Sequence, residues 1–249
     1  MNQQPHRVIY AFPHAGASSS VYTHWLRQLQ NDPDLRFQPV SIPGRGQLSR
    51  ENGIEDLNLL ANRLAEDIAS DFIVKRAEGI HDWATFGHSF GGVLSAIVTQ
   101  KLAEKYQMQP QFSVISASVA PSAQPEDTRH QWHDEKILEK VRSDNGTPES
   151  ILNEPAFARR LVTQMRTDYI LRHQFHAWAD LQVAQPLVLI AADNDEHVTP
   201  HMLNAWKSHT YAQCEQIEIS GDHFAIYQNL ELVRSLLVRQ GACAQISMV

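Results

Sequence analysis

Short apolar runs recur along the chain, separated by stretches with a helical period. Each run has the length of a β-strand and is bounded by proline, glycine or polar residues. Several are almost continuously apolar, which is typical of strands covered on both faces of a sheet. The predicted strands span residues 8–12, 38–42, 83–86, 112–117, 187–192 and 217–219.

The stretches between the strands place apolar residues about every 3.6 positions, the period of a helix with one buried face. Predicted helices span residues 57–74, 93–106 and 230–238. Because strands alternate with helices, we expect an α/β fold whose central sheet is mostly parallel and has helices on both faces. Residues 125–179 interrupt this alternation with helical patterns and no convincing strand. We interpret them as a helical lid insertion; the alternative is an ordinary pair of crossover helices.

The composition predicts one domain over residues 1–249. Hydrophobic residues make up 43% of the chain and charged residues 20%, which indicates a compact core. A net charge of −7 without a lysine or arginine cluster argues against nucleic-acid binding. Neither Cys214 nor Cys243 lies in a CxxC motif, so we expect both to be reduced. Lacking a signal peptide and a long apolar span, the chain is expected to be cytoplasmic and not bound to a membrane.

The strongest chemical signal is Gly87-His88-Ser89-Phe90-Gly91, which matches the pattern GxSxG. A predicted strand precedes the motif and a predicted helix follows it, the context that a nucleophile elbow requires. Glycines permit the tight turn, and the helix N-terminus favours negative charge beside the serine. The motif therefore predicts that Ser89 is the nucleophile of an α/β-hydrolase fold that cleaves an acyl bond.

A serine nucleophile needs a general base, and His223 has the expected position among thirteen histidines. It follows the last predicted strand and precedes the last helix, in the chain order serine, acid, histidine. The acid should follow the strand at 187–192, where Asp193 and Asp195 compete. The spacing after Ala192 favours Asp195, with Asp193 as the alternative. Asp222 adjoins His223, but sequence neighbours rarely orient correctly in such a loop.

An oxyanion hole needs two backbone N–H groups. We expect one from Phe90, directly after the nucleophile, and one from Ala15 in the loop that follows the first strand. The alternative for that loop is a turn without a catalytic role. Six further residues are of types that can bind a metal, but they do not form a complete ligand set. We therefore interpret them as solvated lid residues and expect no metal. These residues are His130, His133, Asp134, Glu135, His173 and His176. The chain also lacks a nucleotide-binding motif, so we expect no nucleotide cofactor.

Several segments together resemble the type II thioesterases, stand-alone enzymes that accompany nonribosomal peptide and polyketide synthases. The resemblance covers residues 8 to about 238. Its motifs are Phe12-Pro13-His14-Ala15-Gly16-Ala17-Ser18, Pro43-Gly44-Arg45, Gly87-His88-Ser89-Phe90-Gly91-Gly92, Gly146-Thr147-Pro148, Arg166-Thr167-Asp168-Tyr169 and Gly221-Asp222-His223-Phe224.

The resemblance implies hydrolysis of acyl thioesters from the phosphopantetheine arms of carrier proteins, without a cofactor held by the enzyme. Ser89, Asp195 and His223 would form the catalytic triad, and Ala15 and Phe90 the oxyanion hole. It also implies a carrier-protein partner and a monomeric enzyme. Phe90 stands where methionine is common in the family, which leaves the size of the acyl group open.

Two other functions share the same fold: a small-molecule carboxylesterase or lipase, and a catalytically silent binding module. The intact set of site residues weighs against the silent module. Carrier proteins are typically acidic, and this chain is acidic too. Docking would therefore need a basic or apolar patch near the pocket mouth, to which Arg45, Arg159 and Arg160 could contribute.

Overall fold

A computed structural model describes residues 5–144 and 146–239 of the chain. Six strands form one sheet in the order β2-β1-β3-β4-β5-β6, and each neighbouring pair in this sheet runs parallel. The predicted α/β fold with a parallel sheet is therefore confirmed. The strands are β1 (Arg7–Phe12), β2 (Leu35–Pro39), β3 (Asp82–His88), β4 (Ser113–Ser116), β5 (Leu187–Ala192) and β6 (Cys214–Ile219).

Helices cover both faces of the sheet and fill the long connection between β4 and β5. Short 3-10 turns join several of them. The α-helices are α1 (Thr23–Leu29), α2 (Leu57–Ala77), α3 (Phe90–Tyr106), α4 (Asp134–Ser143), α5 (Glu149–Leu152), α6 (Pro155–His173), α7 (Pro200–Leu203) and α8 (Leu230–Val238). Within the described ranges, no helix has the length and apolar character needed to cross a membrane.

Side chains of β1 alternate between two hydrophobic cores. Val8, Tyr10 and Phe12 pack into the core that contains the buried faces of α2 and α3. Ile9 and Ala11 pack on the opposite face, with residues of α1 and α8. Both sets are buried, which explains why the strand is continuously apolar in sequence.

Strand boundaries differ from the prediction where polar residues interrupt the apolar pattern. β2 begins at Leu35, not at residue 38, because Leu35 and Phe37 face inward on either side of the exposed Arg36. It ends at Pro39, directly before Val40, whose N–H still donates to the Ala11 carbonyl at 2.8 Å. Conversely, β3 extends beyond its predicted end, and His88 still pairs with Ser116 of β4. Helix α1 was not predicted, because a run of seven residues is too short to show a helical period clearly.

The insertion at residues 125–179 contains helices and, in its described part, no strand. Helices α4, α5 and α6 share a small hydrophobic core that is separate from the two cores of the sheet. This core consists of Ile137, Val141, Leu152, Leu161, Val162, Met165 and Tyr169. Cys214 forms no disulfide with any described residue, and Cys243 lies outside the described residues.

Candidate active site

Ser89 lies at the sharp turn between β3 and α3. Its backbone has φ 54° and ψ −119°, a strained conformation for a residue with a side chain. The flanking glycines make room for this turn. A Cβ at Gly87 would lie 2.3 Å from the carbonyl oxygen of Gly91, and one at Gly91 would lie 2.3 Å from that of Phe12. Neither position can hold a larger residue without displacing backbone.

Two hydrogen bonds from the end of β4 hold the strained turn in place. Ser89 N–H donates to the carbonyl oxygen of Ser116 at 2.8 Å. Ser118 Oγ donates to the carbonyl oxygen of Ser89 at 2.7 Å. The neighbouring strand thus holds the Ser89 backbone on both sides of its Cα atom.

Ser89, His223 and Asp195 form one chain of hydrogen bonds, as predicted from their order in the sequence. His223 Nδ1 lies 2.7 Å from Asp195 Oδ2, and His223 Nε2 lies 3.0 Å from Ser89 Oγ. Because a carboxylate can only accept, Nδ1 carries the proton, and Nε2 is the acceptor for the serine hydroxyl. The tautomer that a general base requires follows from this network.

Asp195 is 6% exposed and receives more than one hydrogen bond. Backbone N–H groups of His197 and Val198 donate to its Oδ1 at 2.7 Å and 3.0 Å. Burial raises the pKa of this carboxyl, but the hydrogen bond and charge of His223 and the two N–H groups outweigh burial, so that the pKa lies below its ordinary value. Asp195 is therefore ionised at neutral pH.

Asp193, the alternative acid, does not reach His223. Its carboxylate accepts hydrogen bonds from Gly221 N–H and Ser220 Oγ, both at 2.8 Å. Chiefly the Gly221 N–H, and then Ser220, lower the pKa of Asp193. These contacts fasten the loop that carries His223 to the end of β5, which is a structural task distinct from orienting the imidazole.

His88 lies against His223, and His14 lies against His88; both histidines are neutral. The ring centroids of His88 and His223 are 5.0 Å apart, and His14 contacts His88 edge-on. Burial, with smaller contributions from His223 and Arg45, lowers the pKa of His14 to about 3. Burial also lowers the pKa of His88 well below its ordinary value. Neutral neighbours add no positive charge beside the base.

These neutral histidines predict a loss of stability in acid. The unfolded chain binds their protons near pH 6.5, whereas the folded chain does not, so stability is complete above pH 6.5 and declines as the pH falls. Each such histidine contributes a slope of about 1.4 kcal/mol per pH unit between pH 6 and 4. Urea unfolding at several pH values should show a smaller slope for His88→Gln. The exposed His24→Gln should keep the wild-type slope, and equal slopes for both variants would contradict the assignment.

The predicted oxyanion residues both line the cavity that contains Ser89. Phe90 is the first residue of α3, so its N–H has no acceptor within the helix. Ala15 donates no backbone hydrogen bond to the described residues. The Phe90 ring stacks on Phe175 with centroids 5.5 Å apart, which closes one side of the cavity. This arrangement is compatible with an oxyanion hole formed by Phe90 and Ala15, and both roles remain predictions.

A buried ion pair, which the sequence did not predict, holds the loop of Ala15. Arg45 and Asp168 are 2% and 0% exposed, and they form two hydrogen bonds of 2.7 Å and 2.6 Å. The same carboxylate accepts from Gly16 N–H at 2.6 Å, and Arg45 donates to the Ala17 carbonyl at 3.2 Å. Because Arg45 is buried, the prediction that it contributes to a docking surface is wrong.

We expect Arg45→Met to destabilise the protein by about 3–5 kcal/mol, because it leaves the Asp168 carboxylate buried without its counter-ion. A double variant, Arg45→Met with Asp168→Leu, should regain much of this stability but not the reaction rate, because Gly16 N–H then has no acceptor. Urea unfolding and steady-state kinetics measure the two effects. Full recovery of the rate in the double variant would contradict a role of the pair in holding the loop.

Two cavities meet at the Ala15 loop. The first, of about 330 Å³, contains Ser89 and His223. The second, of about 490 Å³, lies between this loop and the helical insertion. Both are lined by His14, Ala15, Asp144, Met165 and Phe224. The loop that is predicted to hold the oxyanion therefore lies between the two cavities, and Ser89 lines the first of them.

Two histidines of the insertion, His130 and His173, lie close together. Ring centroids of His130 and His173 are 5.1 Å apart, and His173 Nδ1 bonds to the Asp127 carbonyl at 3.1 Å. In residues 5–144 and 146–239, no three histidine, cysteine or acidic side chains are arranged to hold one metal ion. Independence from metals and cofactors stays a prediction.

The fold and the Ser89–His223–Asp195 chain define an α/β hydrolase of the serine-hydrolase class. The chain belongs to the thioesterase domain family, whose model matches residues 7–239. Thioesterase PikA5 of Streptomyces venezuelae is 26% identical over 239 residues, covering 94% of this chain and 82% of the relative. The predicted class of enzyme, a serine-hydrolase thioesterase, is confirmed.

Two solved structures have the same fold. The type II thioesterase BorB from the borrelidin biosynthetic cluster aligns with a TM-score of 0.79 and 25% identity, covering 96% of this chain and 97% of that one. The RedJ thioesterase from the prodiginine biosynthetic pathway in Streptomyces coelicolor aligns with a TM-score of 0.81 and 24% identity, covering 93% and 86%. The similarity to type II thioesterases and the α/β-hydrolase fold are confirmed.

Proposed function

We propose that this protein is a type II thioesterase that releases acyl groups from the phosphopantetheine arms of carrier proteins in nonribosomal peptide or polyketide synthesis. The observation that carries the proposal is the Ser89–His223–Asp195 chain, which lies at a cavity in a chain that the thioesterase family model matches from residue 7 to 239. The borrelidin and prodiginine pathways of the related BorB and RedJ thioesterases support the pathway class. We also propose that the protein is located in the cytoplasm.

The reaction follows from the positions of these groups. Ser89 Oγ attacks the thioester carbonyl carbon while its proton passes to His223 Nε2. The N–H groups of Phe90 and Ala15 stabilise the negative oxygen of the tetrahedral intermediate. The carbon–sulfur bond then breaks, and the sulfur leaves as a thiol with the proton from His223. Water attacks the acyl-Ser89 ester in the same way, which yields a carboxylic acid and restores the serine.

The second cavity suits the phosphopantetheine arm. Its wall near the Ala15 loop is formed by small residues, and its opposite wall comes from the helical insertion, including Phe157 and Leu161. An arm that enters here brings its thioester to Ala15, where the two cavities meet. The acyl group then extends into the first cavity, beside Ser89.

The exposed Arg159 and Arg160 of α6 support docking of an acidic carrier protein. Arg160 also lines the second cavity, at its edge. Attraction between these arginines and acidic residues of the carrier would offset the repulsion expected from the net charge of −7. Arg45 takes no part, because the Ala15 loop and Asp168 enclose it.

Comparison of two matched esters tests the proposal. The same acyl group is presented as a thioester on a holo-carrier protein and as an oxygen ester of a small alcohol, and kcat/KM is measured for each. We expect a clear preference for the carrier-bound thioester. A preference for the oxygen ester would instead indicate a carboxylesterase. Failure of a fluorophosphonate probe to label Ser89 would indicate a silent scaffold.

A further inference from the structure

The part of the Ser89 cavity wall that comes from the insertion carries several charged and polar side chains beside the apolar Met165 and Phe175. Near the elbow the lining includes Phe90 and Val93. Within the insertion it includes Arg129, Tyr169 and Arg172, and Gln124 lies directly before the insertion. A hydrocarbon chain that filled this end would leave charged and hydrogen-bonding groups without partners, at a cost in free energy.

Arg129 has its partners within the protein. Its Nε donates to Asp127 Oδ1 at 2.9 Å, and its Nη2 donates to Oδ2 at 2.5 Å. Its guanidinium also stacks over the ring of Tyr169, 4.6 Å from the centroid. Asp127 is 4% exposed, so that the two charges form a closed, buried pair.

Arg172 has no comparable partner. Its Nε lies 3.3 Å from Asp127 Oδ2 but lacks hydrogen-bond geometry, and Arg172 donates no hydrogen bond to any described residue. One carboxylate therefore faces two guanidinium groups, which leaves one positive charge in excess. The Oη atom of Tyr169, a residue only 2% exposed, is likewise buried without a partner.

The other charges of this wall do not neutralise Arg172. Lys140 and Asp144 pair with each other, and Asp144 also lies 3.1 Å from His197 Nε2. Glu196 is exposed, so that solvent screens its charge. Among the described residues at the insertion end of the cavity, Arg172 and Tyr169 have donors without a hydrogen-bond partner.

We propose that Arg172 and Tyr169 bind a carboxylate carried by the acyl chain, so that the preferred substrates are thioesters of carboxylate-bearing acyl groups. This inference rests on the proposed function and specifies its substrate class. A planar guanidinium donates two parallel hydrogen bonds to a carboxylate, and the Tyr169 hydroxyl can donate a third. The carboxylate remains chemically unchanged while the thioester at the other end of the acyl group is hydrolysed.

A phosphate could offer the same anionic chemistry, because the phosphopantetheine arm carries one. The two sources are separated by thioesters of N-acetylcysteamine, which keep the thiol end of the arm but lack the phosphate. A series from succinyl to suberyl is compared with monocarboxylic acyl groups of equal chain length. For the best-fitting length, we expect kcat/KM to favour the carboxylate-bearing member by about 10- to 100-fold.

Variants assign this preference to the two side chains. Arg172→Gln should reduce the preference towards unity, and Tyr169→Phe, which keeps the ring beneath Arg129, should reduce it several-fold. The matched control is Arg142→Gln on α4, an exposed arginine of the insertion that pairs with Glu149 and does not line the cavity. It should keep the wild-type preference. Circular dichroism melting curves verify that each variant is folded.

Equal hydrolysis of the paired thioesters by the wild type would overturn the inference, as would an unchanged preference in folded Arg172→Gln. An effect of Arg172→Gln seen only with phosphopantetheine substrates, on both acyl types alike, would assign the arginine to the phosphate and overturn it too. Failure of the proposed function gives a different result: no thioester of either kind is hydrolysed, on the carrier or on N-acetylcysteamine.

Discussion

Ser89→Ala should lower kcat for acyl-thioester hydrolysis by about 10⁶-fold, the order found when the nucleophile of a triad is removed. The variant keeps the elbow, because alanine fills the same strained position and the hydrogen bonds from β4 involve only backbone atoms of residue 89. What it loses is the oxygen that forms the acyl-enzyme. Single-turnover release of a labelled acyl group from its carrier measures the effect.

The matched control for this variant is Ser208→Ala, an exposed serine whose hydroxyl bonds to the Ala205 carbonyl, away from both cavities. It should retain the wild-type rate and the labelling of Ser89 by a fluorophosphonate probe. If Ser89→Ala hydrolysed the carrier-bound thioester as fast as the wild type, Ser89 would not be the nucleophile.

Asp195→Asn should lower kcat by about 10⁴-fold with little change in the overall fold. An asparagine amide can donate to His223 Nδ1, which moves the ring proton to Nε2. The imidazole then presents a donor to Ser89 Oγ where the reaction needs an acceptor. The test is the kcat of the variant on the same thioester, together with the fluorophosphonate labelling rate, which should fall in parallel.

Asp193→Asn separates the two carboxylates that compete in the sequence. The asparagine oxygen can still accept from Gly221 N–H, so the loop of His223 keeps one of its two bonds to this residue. We expect the rate to remain within about tenfold of the wild type, because one exposed hydrogen bond contributes only about 1 kcal/mol. A loss as large as that of Asp195→Asn would reverse the assignment of the acid.

The sequence predicted the elbow and the order of the triad because both depend on local patterns. A strand, a glycine-flanked serine and a helix are adjacent in the chain, so their geometry follows from a dozen residues. The choice between Asp193 and Asp195 was harder, because it depends on which carboxylate turns toward a histidine 28 residues further along. The structure brings Asp195 to His223 and assigns Asp193 to the neighbouring loop.

Contacts between distant segments could not be predicted in the same way. Arg45 was considered for a basic docking patch because its buried partner, Asp168, lies 123 residues away in the sequence and could not be assigned to it. The polar end of the Ser89 cavity is formed by side chains from the loop before α4 and from α6, whose relative placement depends on the packing of the insertion. The first half of β2 was not predicted, because the exposed Arg36 interrupts its apolar pattern.

Helix α6 presents Met165, Asp168, Tyr169 and Arg172 at the spacing i, i+3, i+4 and i+7, which places them along one face. Met165 and Asp168 meet Gly16, where a Cβ would lie 2.5 Å from the Met165 sulfur, while Tyr169 and Arg172 line the Ser89 cavity. Redesign of acyl selectivity through α6 would therefore disturb the loop of Ala15 as well. Libraries built at Val119 and Gln124, which line the cavity from outside this helix, offer a more independent route to new substrates.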